Sequence, residues 1–242
     1  MRNLFILLLG TILLLACSPE TSEENATPLG DWRHHGGNHR SEKYSPLDQV
    51  NGSNFGLLEV AWRYRSPDLE LPEELAYPTG DYRAMPLVIN GVMYVNSNHG
   101  LISALDPVTG EEHWVFDPKS YEYGPPLFSP LQTRGIEYWT DGNIERLFIA
   151  TSGKQLVSVD IETGQPDPNF GDDGYVDLRE NFGRFEFEMN NITHGAPPIA
   201  VGSTVVVGSK IYDYPMYNRS PPGHVRAYDA YTGQFKWRFN TI

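Results

Sequence analysis

Apolar residues along this chain fall into short runs separated by Gly, Asn, Asp and Pro, and within the runs apolar and polar positions tend to alternate. Alternation over a few residues is the period of a half-buried strand, whereas helical periodicity is not sustained anywhere after the amino-terminal segment. The clearest set begins with Met85–Ile89, followed by Asn90-Gly91 and then Val92–Asn96. An Asn-Gly pair between two such runs is a strong hairpin signal. Leu101–Leu105 follows a His99-Gly100 corner, and a turn over Asp106–Gly110 leads into His113–Asp117. The pattern predicts four antiparallel strands.

The same pattern returns twice. Ile136–Trp139, Leu147–Thr151 and Gln155–Asp160 form a second set, and Pro198–Val201, Thr204–Ser209, Val225–Asp229 and Gln234–Phe239 a third. Each set carries an Asp-x-x-Thr-Gly turn, at Asp106–Gly110, Asp160–Gly164 and Asp229–Gly233, and in two of them a tryptophan follows the glycine at the same interval, Trp114 and Trp237. An Asp at the head of a turn accepts backbone N–H groups two and three residues on, and Gly supplies the positive φ at its end. These residues are turn chemistry, and the tryptophans are packing between blades. Internal repeats of four strands at this spacing predict an all-β protein, a β-propeller of four-stranded antiparallel blades near 80–118, 134–180 and 195–242. Three blades fall short of the four to eight that close a ring. The stretch over 31–242 is therefore expected to be the front part of a longer propeller, with an unstable open edge when isolated.

The amino terminus supplies an address. Arg2 precedes the apolar run Leu4–Ala16, which is short for a bilayer span and suited to a signal-peptide core. It ends in Leu14-Leu15-Ala16-Cys17, which resembles a bacterial lipobox. Residues 1–16 would be the signal peptide, Cys17 the acylated first residue, and 17–30 a flexible tether. Ser18 after the cysteine suggests, by resemblance to enterobacterial lipoproteins, a periplasmic location with the lipid anchor in the outer membrane. Cys17 is the only cysteine, which removes disulfides and thiolate metal clusters. The formal charge of −13 without a basic stripe argues against nucleic acid as partner.

Blade topology indicates where chemistry would gather. Loops joining second to third strands emerge on the same face as the connections between blades, and the Thr-Gly turns lie on the other. His99 sits in such a corner, Arg134 in a connection between blades, and Ser209–Gly223 in an expanded corner of the third set that includes Asp213. A permanent cation, a titratable imidazole and a carboxylate on one rim would suit an anionic cofactor beside a metal.

Several segments carry a resemblance. Asp31-Trp32, Gly36-Gly37, Tyr44–Asn51, Ala61–Tyr64, Pro86–Val88, Gly91–Val95, Arg134–Trp139, Phe170–Gly174 and Pro221–Asp229 are similar to the pyrroloquinoline-quinone (PQQ)-dependent dehydrogenases, especially the glucose dehydrogenase branch. The resemblance covers about residues 31–242 of what is an eight-bladed propeller in the full-length family. It implies oxidation of a sugar or alcohol hydroxyl, with electrons passing to a quinone or cytochrome acceptor. It further implies that Arg134 pairs with a carboxylate of the quinone, that His99 lies beside the cofactor to bond it or help move protons, that Ser209 is a weaker cofactor contact, and that Asp213 falls near the position holding the divalent ion, calcium or magnesium. The catalytic base of the family would lie beyond Ile242. The chain departs from the family pattern at Ala84-Met85-Pro86 and Gly195–Pro198, where hydroxyl residues are common, and the adjacent-cysteine disulfide of the methanol-oxidising branch cannot form. A rival reading is a non-enzymatic propeller lipoprotein, a scaffold of outer-membrane protein assembly, which shares the lipobox and the Thr-Gly turns but does not need the Tyr44-Ser45-Pro46-Leu47 segment, the Arg134-Gly135 step or the aromatic loop Ile211–Gly223.

Overall fold

The computed structural model describes residues 30–75, 77–123, 131–183, 192–211 and 222–241. Three four-stranded antiparallel sheets account for most of it. The first holds β1 (Leu87–Ile89), β2 (Val92–Asn96), β3 (Ile102–Leu105) and β4 (Glu112–Phe116). The second holds β5 (Glu137–Thr140), β6 (Glu145–Ala150), β7 (Gln155–Asp160) and β8 (Tyr175–Asp177). The third pairs β10 (Ile199–Val201), β11 (Thr204–Val207), β13 (Val225–Asp229) and β14 (Phe235–Phe239), and a small ribbon joins β9 (Ile192–Thr193) to β12 (Lys210–Ile211). Helical structure among the described residues is limited to three short 3₁₀ turns. The β-propeller reading is borne out. Two elements escaped the sequence pattern, β8 and the β9–β12 ribbon. β8 is three residues long and comes after a loop through Phe170–Gly174, so it offers no alternation to detect.

The sheets stack face to face through period-two alternation. Tyr138, Leu147, Ile149, Val157 and Val159 of the second sheet pack on Leu87, Ile89, Tyr94, Ile102 and Ala104 of the first. The intervening residues Trp139, Phe148, Ala150 and Leu156 pack on Ala200, Val205, Val207 and Tyr228 of the third. The second sheet is thus buried on both faces. The outer flank of the third sheet instead exposes Phe235, Trp237 and Phe239.

The repeated turn fastens one blade to the next. Asp106 Oδ1 accepts the backbone N–H groups of Val108 (2.8 Å) and Thr109 (2.7 Å), and Gly110 N–H closes onto the Asp106 carbonyl (2.8 Å). Asp160 and Asp229 repeat the arrangement with Thr163, and with Tyr231 and Thr232. In the second blade Gly164 has φ +69°, and a Cβ there would stand 2.5 Å from the Trp114 ring of the first blade. Trp62 meets Gly110 in the same way, and its indole N–H donates to the Pro107 carbonyl (3.2 Å). The second blade lacks the tryptophan, and Val176 of β8 takes its place against Gly233 of the third.

Two buried arginines reinforce the seams. Arg146 Nη1 donates to the Ala230 (2.8 Å) and Tyr231 (3.2 Å) carbonyls across the second seam, and its Nη2 is ion-paired with Asp167. Arg226 Nη1 donates to the Leu178 (2.7 Å) and Glu180 (2.8 Å) carbonyls, its guanidinium lies 4.1 Å from the Phe182 ring centroid, and its Nη2 is 3.1 Å from His194 Nε2. Burial first, then the Arg226 and Lys154 charges, push the His194 imidazole down to about 3. It is a neutral acceptor for Arg226.

An N-terminal strap runs along the first strands of the first two sheets. Trp32 exchanges both backbone hydrogen bonds with Val88 of β1 (2.7 and 3.0 Å). His34 Nδ1 lies 3.2 Å from Glu137 Oε1 of β5, and the same oxygen accepts Ala200 N–H of β10 (3.1 Å).

Two predictions follow from these seams. Ala at Gly91, where φ is +80° and a Cβ meets nothing, should destabilise by about 1 kcal/mol from left-handed backbone strain alone. Ala at Gly164 adds the collision with Trp114 and should destabilise by about 3 kcal/mol; urea midpoints of the two full-length variants would check the ranking, and equal losses would refute the docking role of the turn. The second concerns acid. A histidine lowered from 6.5 in the fold contributes stability that is whole above pH 6.5 and is lost as pH falls toward 3, because the unfolded chain takes up the proton first. From pH 7 to pH 5 the loss from His194 should be about 2 kcal/mol, with His224, also lowered by burial, acting in the same direction. Thermal unfolding of His194→Gln across that range should show a shallower pH dependence than wild type.

Candidate functional site

The rim that carries the second-to-third-strand corners is assembled by side-chain bonds between blades. Asn96 at the end of β2 donates through Nδ2 to the Thr133 carbonyl (3.0 Å), and the Thr133 hydroxyl donates to the Asn98 carbonyl (2.9 Å). The corner of the first blade thereby holds the strand leading into the second. Arg134 comes next, its N–H donating to the Gly195 carbonyl at the start of the third blade (2.8 Å). A Cβ on Gly195 would lie 2.7 Å from the Gln132 carbonyl oxygen, so this approach admits only glycine. The departure from hydroxyl residues at this place has a backbone reason: the two connections pass too closely for a side chain.

Arg134, Gln132, Gly195, Ala196, Gly208, Ser209 and Lys210 line one cavity of 260 Å³. Arg134 is exposed, and Ser209, just after β11, is half-buried. The Ser209 hydroxyl donates to the His224 carbonyl (3.0 Å), which leaves it as an acceptor toward anything in the cavity. Lys210, on β12, is the residue the sequence reading passed over. Partial burial, and next the Arg134 charge, lower its pKa, so the two cations interact across this cavity. Its position directly after Ser209 was the available signal, but only the β9–β12 ribbon, which pairs Lys210 with Thr193, shows where it stands.

His99 occupies the same rim but a different setting. It is 2% exposed, and it does not line the Arg134 cavity. Its Nδ1 is 3.0 Å from Asp68 Oδ2, close enough for an ion pair but outside hydrogen-bonding angles, and its backbone N–H reaches the same oxygen (3.4 Å). Neither ring nitrogen has a hydrogen-bond partner among the described residues. A buried imidazole with an uncommitted Nε2 is costly unless something accepts or supplies a proton there. The structure thus brings Arg134 and Ser209 together, adds Lys210, and sets His99 one residue from the Asn98–Thr133 bond that supports them. Asp213 and Cys17 lie outside the described residues, as do residues 1–29 and most of the loop before Gly223.

The chain is similar to quinoprotein dehydrogenases. The following matches cover 90% or more of this chain but less than a third of each relative. It is 31% identical over 244 residues to quinoprotein glucose dehydrogenase A of Acinetobacter calcoaceticus, covering 92% of this chain and 29% of that protein. It is also 31% identical over 223 residues to the dehydrogenase subunit of alcohol dehydrogenase (quinone) from Gluconobacter oxydans (strain 621H), covering 92% of this chain and 26% of that one. Quinohemoprotein alcohol dehydrogenase from Comamonas testosteroni superposes with a TM-score of 0.70 at 25% identity, over 90% of this chain and 28% of that one. The family model described as the PQQ glucose/ethanol/alcohol dehydrogenase β-propeller domain matches residues 32–242, and the chain belongs to that family.

Proposed function

We propose that the protein acts as a PQQ-dependent dehydrogenase that oxidises a sugar or alcohol hydroxyl and passes the electrons to a quinone or cytochrome acceptor. The observation that carries this reading, beside family membership, is the pairing of Arg134 and Lys210 across one small cavity on the propeller rim. Two like charges brought together raise each other's energy and favour an anion between them. PQQ is a polycarboxylate, so the donor set fits it. Arg134 would hold a carboxylate with its forked guanidinium, and Lys210 would add a point charge. Ser209, with its proton committed to His224, would orient the loop and accept from a cofactor group. His99 has a buried nitrogen open to a hydrogen bond or to proton movement at the rim. When bound, PQQ supplies the two-electron acceptor that side chains lack.

The remaining roles extend the same reading. Asp213 would hold a calcium- or magnesium-type ion with its carboxylate, since hard ions take oxygen ligands. Cys17 would carry the lipid that anchors the protein in the periplasm, at the outer membrane, with residues 17–30 as tether and 31–242 as the propeller portion. The scaffold alternative is disfavoured because the family match covers the whole described propeller and because an assembly scaffold has no use for a paired-cation cavity.

Full-length protein supplied with PQQ and calcium should reduce an electron-accepting dye in the presence of sugars or alcohols. Arg134→Ala should weaken PQQ binding roughly 10- to 100-fold, the value of a hydrogen bond to a charged group, with Arg134→Lys intermediate. Absence of saturable PQQ binding by the wild-type protein would overturn the enzyme reading.

A further inference from the structure

We infer that His34, His39 and Glu137 form a binding site for a divalent transition-metal ion of the zinc class, which clamps the N-terminal strap to the inner edge of the second blade. One ligand atom from each residue lies within 4.8 Å of the others. Zinc bonds of about 2.0–2.2 Å to nitrogen and oxygen place tetrahedral ligands roughly 3.4 Å apart. Small rotamer changes therefore close the set. His34 Nδ1 and Glu137 Oε1, at 3.2 Å, already stand at that separation.

The local backbone explains why the two histidines meet. Gly37 N–H donates to the His34 carbonyl (2.8 Å), and Lys43 N–H to the Gly36 carbonyl (2.9 Å), which folds the strap into a closed loop. The Trp32 ring packs over Gly37, and the His34 and His39 ring centroids are 3.9 Å apart. Trp32 is itself fixed on β1 by two backbone hydrogen bonds. The pair is thus preorganised, with exposed His39 able to swing onto an ion.

Glu137 supplies the charge. Its side chain is only 5% exposed, and among the described residues its carboxylate is bonded to His34 and the Ala200 N–H. A buried carboxylate favours a nearby cation. Arg33, the residue before His34, is already paired with Asp31 (2.9 Å). Two imidazoles and one carboxylate make a nitrogen-rich set of the kind zinc accepts with a fourth position left to water, whereas calcium requires six to eight oxygens. The adjoining cavity of 240 Å³, lined by His34, His39, Tyr138, Thr140 and Gly202, leaves room for that water. It has no lining residue in common with the Arg134 cavity.

The test uses full-length protein stripped with a chelator and titrated with Zn²⁺, and with Co²⁺ as an optical probe, in excess Ca²⁺ to fill hard-ion sites. One equivalent should bind, Co²⁺ should give the intense visible bands of a four-coordinate site, and Zn²⁺ should raise the thermal midpoint. Substituting exposed His39 by Ala leaves the fold untouched and should weaken Zn²⁺ binding by roughly 100-fold, the upper end of the 10- to 100-fold typical of changes to residues supporting a ligand. Glu137→Gln should do the same, and neither variant should change PQQ affinity through Arg134. Equal Zn²⁺ uptake and equal thermal shift in wild type and His39→Ala would overturn the assignment, as would no stoichiometric uptake by wild type.

Discussion

A blade of this propeller is held in place by a large side chain, from the preceding fourth strand or, for the first blade, from the segment around Trp62, resting on the bare Cα of its Thr-Gly turn. Everything else is arranged around that contact. The Asp carboxylate fixes the turn, the Gly gives the positive φ and the space, and the ring of Trp62 or Trp114 fills the space. Because the turn joins the third and fourth strands and, at the seams between sheets, Trp114 and Val176 belong to the preceding fourth strand, the contact fixes both the angle and the height of successive sheets. The faces that then meet are the alternating apolar residues of the two cores, one on each side of the second sheet. At the second seam, where the tryptophan is missing, Val176 fills less of the space. Arg146 adds bonds there to two carbonyls of the third blade.

Fixing blade height also fixes the rim. Corner loops of successive blades arrive at one level, so short polar links such as Thr133 to Asn98 can join them. Arg134 gains its place through that link and through its own N–H on the Gly195 carbonyl, neither of which involves its side chain. The guanidinium is left available to the cavity. A chain with a formal charge of −13 thus presents a local pair of cations at Arg134 and Lys210. The sign of a site is set by the few residues that topology brings together, and net charge is silent about it.

The sequence made the repeat legible because its signals are local. Asn90-Gly91, the three Asp-x-x-Thr-Gly turns and the alternating runs each specify their own backbone within a few residues. Arg134 and Ser209 were legible as neighbours because blade topology alone puts corners and connections on one face. What stayed hidden depends on long-range pairing. β8 is too short to alternate and forms because β7 offers an edge. Lys210 joins the cavity through a two-residue ribbon with Thr193. His99 reads as a rim residue, yet its ring turns inward toward Asp68, 31 residues earlier and in a segment with no strand signal. His34 and Glu137 are 103 residues apart, and no motif links them.

The stretch from Leu131 to Glu137 shows how one connection can serve both faces of the molecule. Its backbone is pinned at Leu131 to Pro78 and Gly80, at Thr133 to the first blade and at Arg134 to the third. At Gly135 a Cβ would approach His35 Nδ1 to 3.3 Å, so the strap lies directly against it. Two residues later Glu137 turns its carboxylate to His34 and Ala200. Arg134 and Glu137 therefore hang from one short, heavily restrained segment, one toward the rim cavity and the other toward the strap. Arg134 is already held by its own N–H on the Gly195 carbonyl and by Thr133 beside it, so the strap's grip on Glu137 and the placing of Arg134 are separate restraints on one segment.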